Sequence, residues 1–395
     1  MAKRLAIPSK ELALTIVGPA SYYKAARVQR LELSSDVPNT VVDELGNPNH
    51  AGTVSDIANV TLTFDAFDVG IKLFSVLTGT DATAYPGAGV NIDQLGEIDA
   101  IIYVKSPTVA DYVKSAHAKR MQITDFSYSF NVTGEATESY TATGSAKRWF
   151  KYDVIVDVFT TGTTSFSLTE TPIQLRNGDY LLSVILDGEY LTEVASGEET
   201  GEYSVSGTTL TTADTRTSQV VAVYHANPAG DNWTDVSDAT MPAAIRGQYS
   251  NIIIVAEDIP RVQSITINGT MNVQPVQEMG NPFIVGYQRQ TPNVDGTLTV
   301  LDTDNELLAL LTTGEINPSG VVEYLIEGAC TASGIPLYIK MYDPCDTDTV
   351  LKTYKIPELV VTGDSHTQNV NENAQVVFNW VSDTAEVIVY SGEPA

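Results

Sequence analysis

The side chains that could do chemistry are few and scattered. Four histidines, His50, His117, His225 and His366, share no spacing with one another or with the two cysteines, Cys330 and Cys345. No phosphate-binding glycine loop, dinucleotide fingerprint, zinc pattern or nucleophile elbow occurs, so the histidines read as solvated or structural. Asp302-Thr303-Asp304-Asn305-Glu306 opens like a calcium loop but lacks glycine at the sixth position and glutamate at the twelfth. The same residues make a helix capping box, with the Thr303 hydroxyl taking a free N–H and Glu306 reaching back. Asp231, Asp235 and Asp238 read as a solvated loop. If Cys330 opens a turn, a strand over 335–342 carries Cys345 about 30 Å away, so two plain thiols are expected. Trp149 and Trp380 each end a late strand and read as packing residues. Asn59, Asn131, Asn232 and Asn268 begin formal glycosylation sequons, which a threonine-rich chain produces by accident. No catalytic, cofactor-binding or metal-binding residue is expected, and the chain does not read as an enzyme.

Composition narrows the field further. The 395 residues suffice for two or three domains with their own cores. Lysine and arginine total 22 against 49 acidic residues, a formal charge of −27. Such a surface repels phosphate, which disfavours ordinary nucleic-acid binding. The basic N-terminus is followed by an apolar stretch broken at Pro8, Ser9, Lys10 and Glu11, so no signal peptide is expected. No run of about 18 apolar residues is present to make a membrane-spanning helix.

With no catalytic constellation to organise the chain, its internal repetition becomes the main guide. Residues 27–78, moved by 234 positions without a gap, fall on 261–312 with 16 identities in 52 positions. Arg27-Val28-Gln29 meets Arg261-Val262-Gln263. Glu44-Leu45-Gly46-Asn47-Pro48 meets Glu278-Met279-Gly280-Asn281-Pro282. Each copy opens on an alternating strand, with Leu31 and Leu33 opposite Arg30, Glu32 and Ser34, and Ile265 and Ile267 opposite Ser264, Thr266 and Asn268. A long polar loop follows, 35–56 and 269–290, broken by the Gly-Asn-Pro element. Then come alternating strands over 60–67 and 294–301 and a short helix, closed by Gly79 in copy one and Gly314 in copy two. Later strands are expected over 98–104, 121–133 and 140–149, and over 321–327, 335–342, 355–362, 375–380 and 386–390.

Between the copies, residues 152–250 hold 14 acidic residues against three arginines and no lysine. Asn177-Gly178, Asp187-Gly188 and Ser206-Gly207 are hairpin signals. The expected organisation is a first domain over 1–151 with an N-terminal arm over 1–25, an inserted acidic all-β domain over 152–254, and a second domain over 255–395.

The Arg-Val-Gln strand, the long loop with its Glu-Leu-Gly-Asn-Pro or Glu-Met-Gly-Asn-Pro element, the second strand, the capped helix and the closing strands together resemble the tail tube proteins of long-tailed bacteriophages and related viruses. The resemblance covers roughly 20–150 and 255–392. It implies a mainly β fold of two tandem β-sandwich or barrel domains, each with one short α-helix. It also implies a structural virion protein whose six tube domains per ring, here three chains, join inner sheets into one barrel. Stacked rings would conduct viral DNA without gripping it, since a lysine-lined lumen would bind the phosphates of each passing turn. Implied partners are further copies of the chain, a tape-measure protein, and tail-terminator or baseplate proteins, in a virion tail assembled in the host cytoplasm.

Two sets of residues carry this expectation. Glu44, Leu45, Gly46, Asn47 and Pro48, with Glu278, Met279, Gly280, Asn281 and Pro282, are expected to touch the adjacent ring. Arg30, Glu32, Ser34, Thr61, Thr63 and Asp65, or the counterparts Ser264, Thr266, Asn268, Asp295, Thr297 and Thr299, are expected to face the channel, because the opposite faces are apolar. A surface binding module, such as an adhesin or carbohydrate binder, would share the composition and insert but leaves the duplication unexplained. A baseplate or distal-tail ring protein of the same fold is the other alternative.

Overall fold

The computed structural model describes residues 12–42, 52–55, 57–68, 70–80, 89–105, 112–159, 163–213, 219–227, 244–254, 257–259, 261–279, 284–301, 334–367 and 373–393. The chain is mainly β, with large antiparallel sheets. Unit one contributes β1 (Leu12–Val17), β2 (Tyr22–Lys24), β3 (Val28–Asp36), β4 (Asn39–Val42), β5 (Gly52–Ser55), β6 (Asn59–Phe67) and α1 (Lys72–Thr78). It continues with β7 (Val90–Asn91), β8 (Glu97–Lys105), β9 (Tyr112–Asn131), β10 (Thr137–Gly144) and β11 (Ala146–Phe150). The insert supplies β12 (Asp153–Phe159), β13 (Ser165–Ser167), β14 (Ser183–Leu186), β15 (Glu189–Tyr190), β16 (Thr192–Glu193), β17 (Glu202–Ser206), β18 (Thr209–Thr212) and β19 (Val220–Ala226). Unit two holds β20 (Ser250–Ile254), β21 (Glu257–Asp258), β22 (Val262–Thr270), β23 (Val273–Val276), β24 (Gly286–Arg289) and β25 (Asn293–Leu301). It ends with β26 (Ile335–Asp343), β27 (Asp346–Thr367), β28 (Gln375–Ser382) and β29 (Ile388–Ser391).

Alternating side chains dictate the central layer. In β6, Val60, Leu62, Phe64 and Ala66 are buried while Thr61, Thr63 and Asp65 are half-exposed on the other face. Strands with the same pattern join in the order β3-β6-β10-β9-β22-β25-β28-β27, all antiparallel. Four come from each unit, and the β9–β22 pairing joins the two units inside one chain. Their apolar faces share one core with α1 and the outer strands, running from Leu14 through Phe64, Tyr128 and Ile267 to Trp380.

The repeat is more regular in three dimensions than in sequence. Adding 234 to β3 and β6 gives β22 and β25, and adding 238 to β9 and β10 gives β27 and β28. The bulge is preserved: Thr141↔Asp125 is followed by Ala142↔Ile123, and Asn379↔Gly363 by Trp380↔Val361. β20 pairs with β26 as β1 pairs with β8. Unit two therefore takes in residues ahead of the boundary at 255 that the sequence suggests.

Several local expectations change. The long polar loops are two-stranded arms, β4–β5 and β23–β24, paired Asn39↔Ser55 and Val273↔Arg289 at their bases. The single strand expected over 140–149 breaks at Ser145 into β10 and β11, while β9 and β27 are far longer than expected, at 20 and 22 residues. α1 ends on Gly79 in the left-handed region, φ 74°, where its N–H reaches back to the Ser75 and Val76 carbonyls. The helix expected after residue 302 and the strand over 321–327 lie outside the described residues. Among those described, no helix is long and apolar enough to cross a membrane.

The insert is two four-stranded sheets, β12-β19-β14-β15 and β13-β18-β17-β16, around its own core. The Asp187-Gly188 turn links β14 to β15, with both residues at positive φ.

Candidate assembly interface

One face of the eight-stranded sheet is mainly polar, interrupted in β28 by Val377 and Val381. Arg30, Glu32 and Ser34 are exposed; Thr61, Thr63 and Asp65 lie beside them, and Ser264, Thr266, Asn268, Asp295, Thr297 and Thr299 continue the same face. Both expected sets thus share one surface. The sequence reading left out the residues between them, Ser127, Ser129, Ser139 and Thr141, although their alternation with Phe126, Tyr128 and Tyr140 signals them. Hydroxyls knit the surface: Ser127 donates to Asn268 Oδ1 at 2.8 Å, Ser139 donates to Asp65, and the Thr266 and Thr297 hydroxyls lie 2.9 Å apart. Among its described residues the face carries Arg30, paired with Glu32 at 2.9 Å, together with Asp65, Asp125 and Asp295. Its balance is acidic.

The joint between the units shows what a completed seam looks like. Ile265 and Ile267 are fully buried under β9, opposite Phe130 and Tyr128. Gly269 stands opposite Phe126, and a Cβ there would come within 2.0 Å of the Phe126 ring. Met271 is 1% exposed, its N–H donating to the Thr124 carbonyl at 2.7 Å. Farther out, Val389 is buried where β29 pairs with β7.

At the core of this joint sits a buried cation. Lys352 Nζ of unit two lies 2.6 Å from Glu138 Oε1 and 3.2 Å from Asp68 Oδ2, both of unit one. Tyr354 donates to Asp68 at 2.9 Å, Tyr140 donates to Glu138 at 2.8 Å, and the Gly70 N–H meets the second Asp68 oxygen at 3.0 Å. Burial alone would lower the Lys352 pKa, but Asp68 and Glu138 outweigh it and raise it. Burial and the neighbouring Asp68 push Glu138 up to about 8, against the pull of Lys352. A carboxyl held protonated in the fold stabilises fully below its ordinary pKa of 4.5, and that stability is lost as pH rises towards 8. Denaturation measured across this range should show falling stability, and Glu138→Gln should flatten the slope. The network belongs to the in-chain joint: the counterpart of Glu138 is Val376, and that of Lys352 is Lys114, exposed with its ammonium 4.4 Å from the Trp149 ring centre.

The arms differ in the same way. β23–β24 lies on unit one, where Tyr287 donates to the Thr143 carbonyl at 3.1 Å and Arg289 reaches the Asp93 carbonyl at 3.3 Å and Gln122 at 3.5 Å. Within the expected ring-contact sets, Glu278 and Met279 are exposed; Glu44, Leu45, Gly46, Asn47, Pro48, Gly280, Asn281 and Pro282 lie outside the described residues.

A second buried cluster fixes the insert to unit one. Asp99 accepts from His117 Nε2, the Arg120 N–H and the Tyr190 hydroxyl, each at 2.8 Å, and from the Ser183 hydroxyl. Ser183 and Tyr190 belong to the insert, and Val17, Ile101 and Tyr103 pack there against Val154, Leu182 and Val221. Burial would push the Asp99 carboxyl up, yet His117 and the hydrogen bonds from Ser183 and Arg120 hold it below its ordinary value. His225 lies between the rings of Phe150 and Tyr152, at 4.6 and 5.7 Å, and burial lowers its pKa to about 4. Both histidines are structural here. Cys345 is an exposed thiol.

No protein-family model matches the chain, and no curated protein does. Solved structures similar to parts of it include two from tail-like injection particles. One is the sheath/tube terminator, in the extended state, of the extracellular contractile injection system PVC. It is 12% identical over 39% of this chain and 99% of that one, with a TM-score of 0.29. The other is the tube-terminating cap of the anti-feeding prophage, 14% identical over 40% of this chain and 98% of that one, with a TM-score of 0.27.

Proposed function

We propose that this protein is a structural tube protein of a virus tail. Three chains close into a ring whose joined eight-stranded sheets form the wall of a channel for DNA. The supporting observation is an internal comparison. Positions buried at the in-chain joint have counterparts left open in a single chain. Ile265 and Ile267 are fully buried, whereas Leu31 and Leu33 are half-buried; Met271 is 1% exposed, whereas Val37 is 44% exposed; Val389 is buried, whereas Trp149 is 52% exposed. Among the described residues, unit one has no counterpart of what unit two receives from β9 and β7.

The missing cover is a second chain's β27. Among the described residues, its segment 363–367 forms the opposite edge of the sheet, and sheet edges invite pairing. Transferring the β9–β22 register places Glu32 opposite Thr367, Leu33 opposite His366, Ser34 opposite Ser365 and Ser35 opposite Asp364. The chemistry changes in concert: Gly269 faces Phe126 inside the chain, while Ser35 faces Asp364 across the open seam. A head-to-tail contact of this kind makes a ring when its rotation closes. The acidic polar face then lines the lumen and lets DNA slide.

The test uses Ser34→Cys with Ser365→Cys in a Cys330→Ser, Cys345→Ser background, oxidised after assembly. Denaturing gels should show covalent trimers as the largest main species. Monomers alone, in a preparation that is folded by circular dichroism, would sink the ring.

A further inference from the structure

Among the described residues the first arm, β4–β5, pairs within its own hairpin, and apolar side chains on and beside it are exposed. Val37 is 44% and Val41 49% exposed. Its twin, β23–β24, presents Val273, Pro275, Tyr287 and Arg289 on one face, since Pro275 pairs with Tyr287 and Val273 with Arg289. That face lies on unit one, over the Thr143 carbonyl and Gln122. Val41 is the counterpart of Pro275, and Val37 of Met271.

Unit two carries the equivalent of the surface on which β23–β24 lies. The counterparts of Thr143, Gln122 and Thr124 are Val381, Val360 and Thr362. Val381 is 38% exposed. Thr124 donates its hydroxyl to the Thr141 carbonyl at 3.3 Å, and Thr362 donates to the Asn379 carbonyl at 3.2 Å, so the two surfaces are built alike. On that surface Thr143 and Gln122 give way to Val381 and Val360, and on the arm Tyr287 and Arg289 give way to Thr53 and Ser55, while Met271 and Pro275 become Val37 and Val41. The tyrosine and arginine that reach unit one inside the chain thus have shorter counterparts, and the apolar positions of the arm are kept.

We propose that the first arm clasps a second copy of this chain, laying Val37 and Val41 across Val360, Thr362 and Val381 of that copy's unit two. The clasp rests on the ring reading above and adds a lateral seam outside the strand pairing. The Val37 N–H donates to the second copy's Thr362 carbonyl, as Met271 does to Thr124.

Val41→Cys with Val381→Cys, in the same cysteine-free background, tests it with a short bis-maleimide cross-linker. Covalent trimers as the largest main product are expected, and Val41→Asp should weaken trimer association at least about tenfold. If Ser34→Cys with Ser365→Cys gives trimers and the valine positions give no adduct, the ring stands and the clasp is wrong. A ladder continuing past three chains also overturns it, since the arm would then reach another ring. If neither pair links, the ring reading itself fails and the clasp falls with it.

Discussion

Replacing Lys352 with methionine should cost about 3–5 kcal/mol of folding stability, because two buried carboxyl groups lose the cation between them. Asp68 and Glu138 are both fully buried, and Lys352 is their only cationic contact among the described residues. The loss should grow above pH 8, where Glu138 can no longer hold its proton. Adding Glu138→Gln and Asp68→Asn to the methionine variant should recover most of the loss, since apolar or neutral replacement of a buried ion network is often nearly neutral. Chemical denaturation of the single and triple variants beside the parent protein decides it. A single substitution costing less than about 1 kcal/mol would show that the network contributes little at this joint.

Asp99→Ala should release the insert from unit one, at a cost of about 3–5 kcal/mol. Four donors lose their acceptor at once, two of them from the insert. The readout is limited proteolysis: cleavage near residues 151 and 245 should become fast while the eight-stranded sheet stays protected. Acid gives the same result by titration. Because the Asp99 pKa is depressed in the fold, its contribution is present above the ordinary carboxylate value of 3.8 and is lost as pH falls through the lower folded value. Unchanged protease sensitivity in the alanine variant would mean that the apolar contact holds the insert unaided.

Much of this architecture is legible in the chain because alternation is a strong signal. The faces of β3, β6, β22 and β25 follow directly from it, as do Gly79 ending α1 and the Asp187-Gly188 hairpin. The arms were harder. Val41, Pro275 and Tyr287 sit in a weak alternation, since a two-stranded ribbon buries little, and the Gly-Asn-Pro element between the two strands in sequence dominates local propensity. The interface network escaped altogether: Asp68, Glu138 and Lys352 are far apart in sequence, and the β9–β22 and β7–β29 pairings bring unit two's cation to unit one's carboxyls. Asp99 and His117 are likewise 18 residues apart, and their meeting depends on the β8–β9 register. The correspondence of β9 and β10 with β27 and β28 kept pattern and bulge but little identity, so the gapless match stops at residue 78.

Placing the β9–β22 seam inside one polypeptide changes how such a ring would nucleate. Half of its lateral contacts are already made when a chain folds, so closing it takes three bodies where separate units would need six. Tethering turns those contacts into first-order steps, and the dependence of nucleation on monomer concentration falls from at most the sixth power to at most the third.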